Sequence, residues 1–243
     1  MTKCIWTYLI PRERSHYYSA YRIGLQSMLE YSIRIGATLF VHTNPLYPNI
    51  ASYYERFAVA KQVENFDRVL LLGGDIVIKP DAPDIFKEFP EGIFALNETD
   101  SHKSTPHSQS FLQTTFNIYN VPKKATAEMP MWNSCVVLCN GSDLKNLYDF
   151  RWNPNDPWHD LSPYNANIYQ KDINVKNIGI KWNCFMSRQD AIPYISQSHF
   201  LHFDGCTKDF LASYSSYQEA VVKCPHLIKK TKETFSEIPH LLN

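Results

Sequence analysis

Residues 68–79, RVLLLGGDIVIK, decide how the rest of the chain is read. Val69-Leu70-Leu71-Leu72 is too continuously apolar for a half-exposed strand and too short for a membrane span. It is therefore expected to be a central strand of a sheet covered on both faces. The run breaks at Gly73-Gly74 and delivers one carboxylate, Asp75, at the strand's carboxyl end. In open α/β sheets ligands bind along that edge, and an acidic group there can hold a divalent cation that in turn holds phosphates.

Upstream, residues 3–10 read as a first strand and 11–15 as a polar loop. Tyr21, Leu25, Met28 and Leu29 fall on one face of a helix over 17–34. A strand over 37–42, closed by Thr43-Asn44-Pro45 turn chemistry, and a helix over 51–65 lead into the strand 68–72. This βαβαβ opening is the pattern of a parallel, doubly wound sheet. Downstream, 76–78 continue extended, 85–89 make a helical turn and 92–96 another strand. Residues 97–130 lack a sustained period and read as one long loop, with His102 and His107 as solvated loop residues. A strand over 134–139 follows, then Ser142 is placed to cap a helix through Phe150. After a loop over 151–163 come a helix over 165–174, extended segments near 179–185 and 199–203, and terminal helices. There is no internal repeat and no low-complexity tract, so a single α/β domain over 1–243 is expected, with helices on both faces of a mostly parallel central sheet.

Composition narrows the function. Hydrophobic residues at 44% and charged residues at 20% describe an ordinary globular chain, and 24 basic residues balance 24 acidic ones. No global positive field draws it to nucleic acid or anionic membranes. Aromatics at 14% supply stacking surfaces for flat or sugar-like ligands, with Trp152, Trp158 and Tyr164 as candidates. The six cysteines form no C-x-x-C pair and several lie in strand-like runs, which favours buried, reduced thiols. No signal peptide is recognised at the start, and no run reaches the ~20 apolar residues that span a bilayer, so a cytoplasmic home is expected. Lys223, Lys229, Lys230 and Lys232 among apolar residues of the tail leave peripheral membrane contact open, beside the plainer reading of a solvated face.

The strongest constellation joins Asp75 to His202-Phe203-Asp204-Gly205-Cys206-Thr207-Lys208. A carboxylate and an imidazole on a divalent ion, with a glycine amide and a lysine on the same diphosphate, would stabilise a nucleoside diphosphate as leaving group. Here the chain resembles glycosyltransferase family 8, the group of glycogenin and the lipopolysaccharide galactosyltransferases, with its GT-A nucleotide-sugar fold. The family's H-F-x-G-x-x-K-P-W motif reads HFDGCTKDF at 202–210, with Asp209 for proline and Phe210 for tryptophan. Its D-x-D motif reads Gly73-Gly74-Asp75, so the first aspartate is replaced and the second kept.

The resemblance implies roles for particular residues. Asp75 and His202 would hold Mn²⁺ (or Mg²⁺), and Gly73, Gly74, Gly205 and Lys208 would lie along the diphosphate of a UDP-sugar. Arg56, in Tyr54-Glu55-Arg56-Phe57, would touch the diphosphate or donor sugar, unless it is only an exposed residue of an amphipathic helix. Asn133-Ser134-Cys135 stands for the family's N-x-G, so Asn133 and Ser134 would hold sugar hydroxyls. Thr7, Tyr8 and Tyr18 resemble the nucleotide-binding strand and the tyrosine after it. Gln170, or Asp172 beside it in YQKDIN, would be the polar group near the anomeric carbon. Residues 1–96 would then form the nucleotide-binding half, 97–216 the acceptor-side half and 217–243 a helical tail.

The expected activity is metal-dependent transfer from a UDP-sugar to a hydroxyl of a glycan or glycoprotein acceptor, with retention of anomeric configuration. The alternative is a nucleotide-sugar binding module that has lost turnover, motivated by Gly73 and Cys135. A sugar-nucleotide pyrophosphorylase would want a glycine-rich phosphate loop where this chain has IPRERSHYY, and a phosphohydrolase would want a second acidic partner beside Asp75.

Overall fold

The computed structural model describes residues 1–10, 15–47, 49–50, 52–99, 105–205 and 207–224. Among them the strands are β1 (Lys3–Tyr8), β2 (Thr38–His42), β3 (Arg68–Leu72), β4 (Ile76–Ile78), β5 (Ile93–Asn97), β6 (Trp132–Cys139), β7 (Val175–Asn177), β8 (Cys184–Phe185) and β9 (Phe200–His202). Six of them form the main sheet in the order β2-β1-β3-β6-β5-β7. β1 pairs in parallel with β2 and β3, and β5 with β7, while β6 runs antiparallel to both of its neighbours. The expected α/β architecture with a mostly parallel central sheet is present, and the one reversed strand stands in its middle.

The run 68–72 is buried throughout because its two side-chain sets enter two different cores. Val69 and Leu71 join Trp6, Tyr8, Val137 and Cys139 on one face, whereas Leu70 and Leu72 join Ile5, Val136 and Leu138 on the other. Strand pleating at a period of two explains the split, and coverage of both faces explains why no polar residue interrupts residues 69–72. The helices are α1 (Ser15–Ile35), α2 (Val59–Val63), α3 (Ile85–Glu88), α4 (Thr105–Tyr119), α5 (Leu144–Leu147), α6 (Leu161–Gln170) and α7 (Thr207–Ala212). α2, α5, α6 and α7 feed the first core, α3 the second, and α1 contributes to both.

Several boundaries differ from expectation. Residues 97–130 are not one loop: α4 lies inside them and packs Phe111, Leu112 and Phe116 with Met131 and with Ala166 of α6. Ser, Thr and Gln dilute its apolar period, so tertiary packing rather than propensity sustains it. Within the helix expected over 51–65, Ser52–Ala58 is a 3₁₀ helix that leads directly into α2. The helix expected through Phe150 stops at Leu147, where Asn167 donates to the Leu147 and Asp149 carbonyls. The helix expected over 165–174 is α6, which starts earlier and ends before Asp172, a residue in the left-handed region at φ 49°. The tail is helical over 217–224, with Lys223 paired to Glu219, and its remaining lysines lie outside the described residues, as does His102.

A second sheet, β4-β9-β8, sits at the carboxyl edge of the first. β4 and β9 are antiparallel with Ile76 opposite His202, and the Phe203 amide donates to the Asp75 carbonyl at 3.0 Å. The ladder therefore fixes Asp75 beside His202. Helix α1 braces the same turn through Gly24: a Cβ there would stand 2.3 Å from the Gly74 carbonyl oxygen and 2.8 Å from that of Ile76. Gly74 is closed in likewise by the Tyr21 ring, 2.7 Å from where its Cβ would be. Among the described residues no helix is long and apolar enough to cross a membrane.

Candidate active site

The two sheets meet in a cleft of about 270 Å³ whose lining includes Tyr8, Arg56, Asp75, Asn133, Ser134, Cys135, Trp158, Asp160, His202 and Lys208. Asp75 is buried, and its carboxylate takes an ion pair from Lys208 Nζ at 2.8 Å and faces His202 Nε2 at 3.7 Å. Burial opposes the charge on Asp75, but Lys208 and then His202 overcome it and hold the carboxyl well below the usual range. Lys208 is raised by the same pairing against its own burial. Burial also opposes charge on His202, yet Cys135 and Asp75 together push it up to about 10.

His202 is oriented from behind. Its Nδ1 lies 2.9 Å from Asn183 Oδ1, Asn183 Nδ2 donates to Asn133 Oδ1 at 2.9 Å, and Asn133 Nδ2 donates to Glu98 Oε1 at 2.7 Å. Arg188 closes the chain on Glu98 Oε2 at 2.6 Å. Because Asn183 spends its amide hydrogens on Asn133, its oxygen must accept, so Nδ1 of His202 carries a proton and Nε2 faces the cleft. The Cys135 amide also donates to Asn133 Oδ1, at 2.8 Å, which ties the thiol-bearing strand to the same relay.

Arg56 is not on an exposed helical face: it is buried, with Nη1 donating to Ser134 Oγ at 2.7 Å and Asp160 Oδ2 at 2.9 Å, and Nη2 to Cys135 Sγ at 3.4 Å. Its guanidinium also lies 5.7 Å from the Tyr8 ring centre. Burial would lower its pKa, but Cys135 and Asp160 keep it firmly charged. Burial likewise pushes the Tyr8 phenol up to about 12, so it stays protonated.

Of the residues singled out from sequence, Asp75, His202, Lys208, Arg56, Tyr8, Asn133 and Ser134 line this cleft. Thr7 is buried on β1, its hydroxyl without a hydrogen-bond partner among the described residues. The Gly73 amide is already used by the Cys135 carbonyl at 2.8 Å, and Gly74 is accounted for by its packing. Gly205 adopts φ 51°, a conformation glycine allows freely, in the turn between β9 and α7. Tyr17, one residue before the expected Tyr18, places its ring 5.5 Å from Lys208 Nζ. Gln170 and Asp172 lie elsewhere: Gln170 is exposed and bonded to Arg151, and Asp172 pairs with Lys123 at the rim of a different pocket. Among the three candidate stacking residues only Trp158 reaches the cleft, since Tyr164 is wholly buried and Trp152 is exposed outside it.

Asp160 was missed from sequence, and Cys135 was noted only as the residue in place of glycine in N-x-G, not as a donor. Asp160 stands just before α6, and the Asp before Leu161-Ser162-Pro163 could have been taken as a helix-start signal. Cys135 had no local signal, because only the antiparallel insertion of β6 brings it to Asp75 and His202. Asp75, Cys135 and His202 each offer a donor atom, all within 4.8 Å of one another. A carboxylate whose charge is otherwise balanced only by the chain's own Lys208 and His202, beside a pre-oriented imidazole, suits a divalent cation.

No family model matches the chain, and no curated protein matches it in sequence. Solved structures do match in fold. A glycosyltransferase involved in glycosylation of the major capsid of PBCV-1 superposes at TM-score 0.56 with 13% identity, over 87% of this chain and 98% of that one. Mouse xyloside xylosyltransferase 1 gives 0.51 with 12% identity over 85% and 99% of the two chains. GlyE of Streptococcus pneumoniae TIGR4 gives 0.54 with 12% identity over 92% of this chain and 63% of that one. The fold is thus one that glycosyltransferases use.

Proposed function

We propose that this chain is a glycosyltransferase of the family 8 kind, moving a sugar from a UDP-sugar to a hydroxyl of a glycan or glycoprotein with the help of a divalent cation. The observation that carries the reading is the pairing of Asp75 with His202 and Lys208 at the carboxyl edge of the sheet, where this class of fold holds its ligands. A bound cation would neutralise charge on the departing diphosphate. Lys208 adds a mobile ammonium, able to turn from Asp75 to a phosphate oxygen. Arg56, fixed by Ser134, Asp160 and Cys135, holds the cleft floor, and Tyr8 and Trp158 offer ring faces.

Configuration is retained in this reading. Asp160 is pinned by Arg56 and Ser134, Asp204 accepts from the Ser187 amide and hydroxyl, and Gln170 and Asp172 stand outside the cleft, so among the described residues no free carboxylate is available as a second catalytic group. That supports a front-face displacement in which the leaving phosphate oxygen takes the acceptor proton, unlike a glycosidase with two flanking carboxylates. The test is calorimetry with UDP, with and without Mn²⁺ or Mg²⁺, followed by donor hydrolysis across UDP-, GDP- and TDP-sugars. Asp75→Ala and His202→Ala should each weaken cation-dependent UDP binding, and unchanged binding in both folded variants refutes the site. A product of inverted configuration refutes retention. Tight UDP binding without turnover on any donor selects the second reading, a binding module, which Gly73 and Cys135 at the two altered motif positions motivate.

A further inference from the structure

Cys135 gives the cleft a character that a carboxylate and an imidazole alone would not have. Mg²⁺ and Mn²⁺ prefer oxygen donors, whereas a thiolate with an imidazole and a carboxylate is a set for borderline or soft divalent ions. The three donor atoms already stand within 4.8 Å of one another. Around a tetrahedral ion donors lie about 3.5 Å apart, so side-chain rotations of about 1 Å close the set. The surroundings are those of a built ligand site. Asn183 accepts from His202 Nδ1, which leaves Nε2 toward Asp75, and Asn133 accepts from both the Cys135 amide and Asn183. One buried relay thus orients two of the three donors from behind, as outer partners do around metal-binding histidines.

We infer that Asp75, Cys135 and His202 form a site for one thiophilic divalent cation of the Zn²⁺ or Co²⁺ type, with Cys135 bound as thiolate. Entry of the ion forms one bond to each donor, displaces the Lys208 ammonium from Asp75, and releases to solvent any proton carried by the Cys135 sulfur and the His202 Nε2. Cys135 is thereby the residue that sets metal preference. The inference rests on the same cleft as the glycosyltransferase reading and names its cation, but it needs only the metal-binding side chains.

The experiment uses the whole chain, stripped with a chelator and free of nucleotide, so that a failure of the UDP assays above leaves it untouched. One equivalent of Co²⁺ should bring up near-ultraviolet absorption from thiolate-to-metal charge transfer. Zn²⁺ should abolish the signal, and equimolar Mn²⁺ should not. Cys135→Ser should lack the absorption and bind Zn²⁺ at least ~10-fold more weakly, and Asn183→Ala should lose about 10- to 100-fold. If Cys135→Ser does not fold, the wild type decides alone: Zn²⁺ should protect Cys135 from alkylation, read by peptide mass mapping, and Mn²⁺ should not. Absence of the absorption, its persistence in Cys135→Ser, displacement of Zn²⁺ by equimolar Mn²⁺, or equal alkylation with and without Zn²⁺ would each overturn the assignment.

Discussion

Replacing Lys208 by Met in the metal-free protein should strand the Asp75 carboxylate. The ammonium and carboxylate are 2.8 Å apart, which at an effective dielectric of about 20 is an attraction of about 6 kcal/mol. Relief of the lysine's own desolvation and the remaining partner, His202 at 3.7 Å, offset part of it. A net loss of about 3 kcal/mol follows, the low end for breaking a buried pair from one side. Urea unfolding in EDTA measures it, and the cycle with Asp75→Asn isolates the pair, with an expected coupling of about 2 kcal/mol. Acid dependence gives a second readout. The Asp75 carboxyl is held low in the folded state, so its stabilisation is complete above about pH 4 and is lost as pH falls below that. In Lys208→Met that acid-side slope should shrink. Single-variant effects that add to within about 0.5 kcal/mol, with an unchanged slope, would refute the buried pair.

Other consequences are more local. Gly24→Ala puts a methyl against two backbone carbonyls of the Asp75 turn and should cost about 3 kcal/mol, seen as a drop of about 10 °C in Tm. Arg56→Lys keeps the charge but cannot reach Ser134, Asp160 and Cys135 together, so a loss of about 2 kcal/mol in urea unfolding is expected, and a loss below about 0.5 kcal/mol would show that the fork is not needed. Burial, then Lys181 and Lys79, lower the His199 pKa against Asp81 and Glu88, so the unfolded chain takes up that proton first. Stability should be full above about pH 6.5 and fall as pH drops through and below it, with a shallower fall in His199→Gln by pH-dependent melting.

The sequence was readable where chemistry is local. Continuous burial of 68–72, the parallel opening, and the histidine, glycine and lysine of 202–208 each carry their signal within a dozen residues. What stayed hidden depends on placement. β6 runs against its neighbours, and only that reversal sets Cys135 opposite Asp75 and His202. Gln170 and Asp172 follow a plausible local pattern, yet α6 ends at Gln170 and the left-handed Asp172 turns the chain to the surface. α4 shows the converse: a polar-looking helix held by Phe111, Leu112 and Phe116, whose partners come from other elements.

The pairing of Ile76 with His202 also has a bearing on how the molecule assembles. It joins residues far apart in the chain, and closing so long a loop costs about 4 kcal/mol of chain entropy before any contact repays it. The opening βαβαβ unit, with nearer partners, is free to form first. The ion site proposed at Asp75 and His202 is then a property of the finished fold alone. A folding intermediate should ignore the ion, and the moment at which a refolding chain first captures it dates the docking of the second sheet.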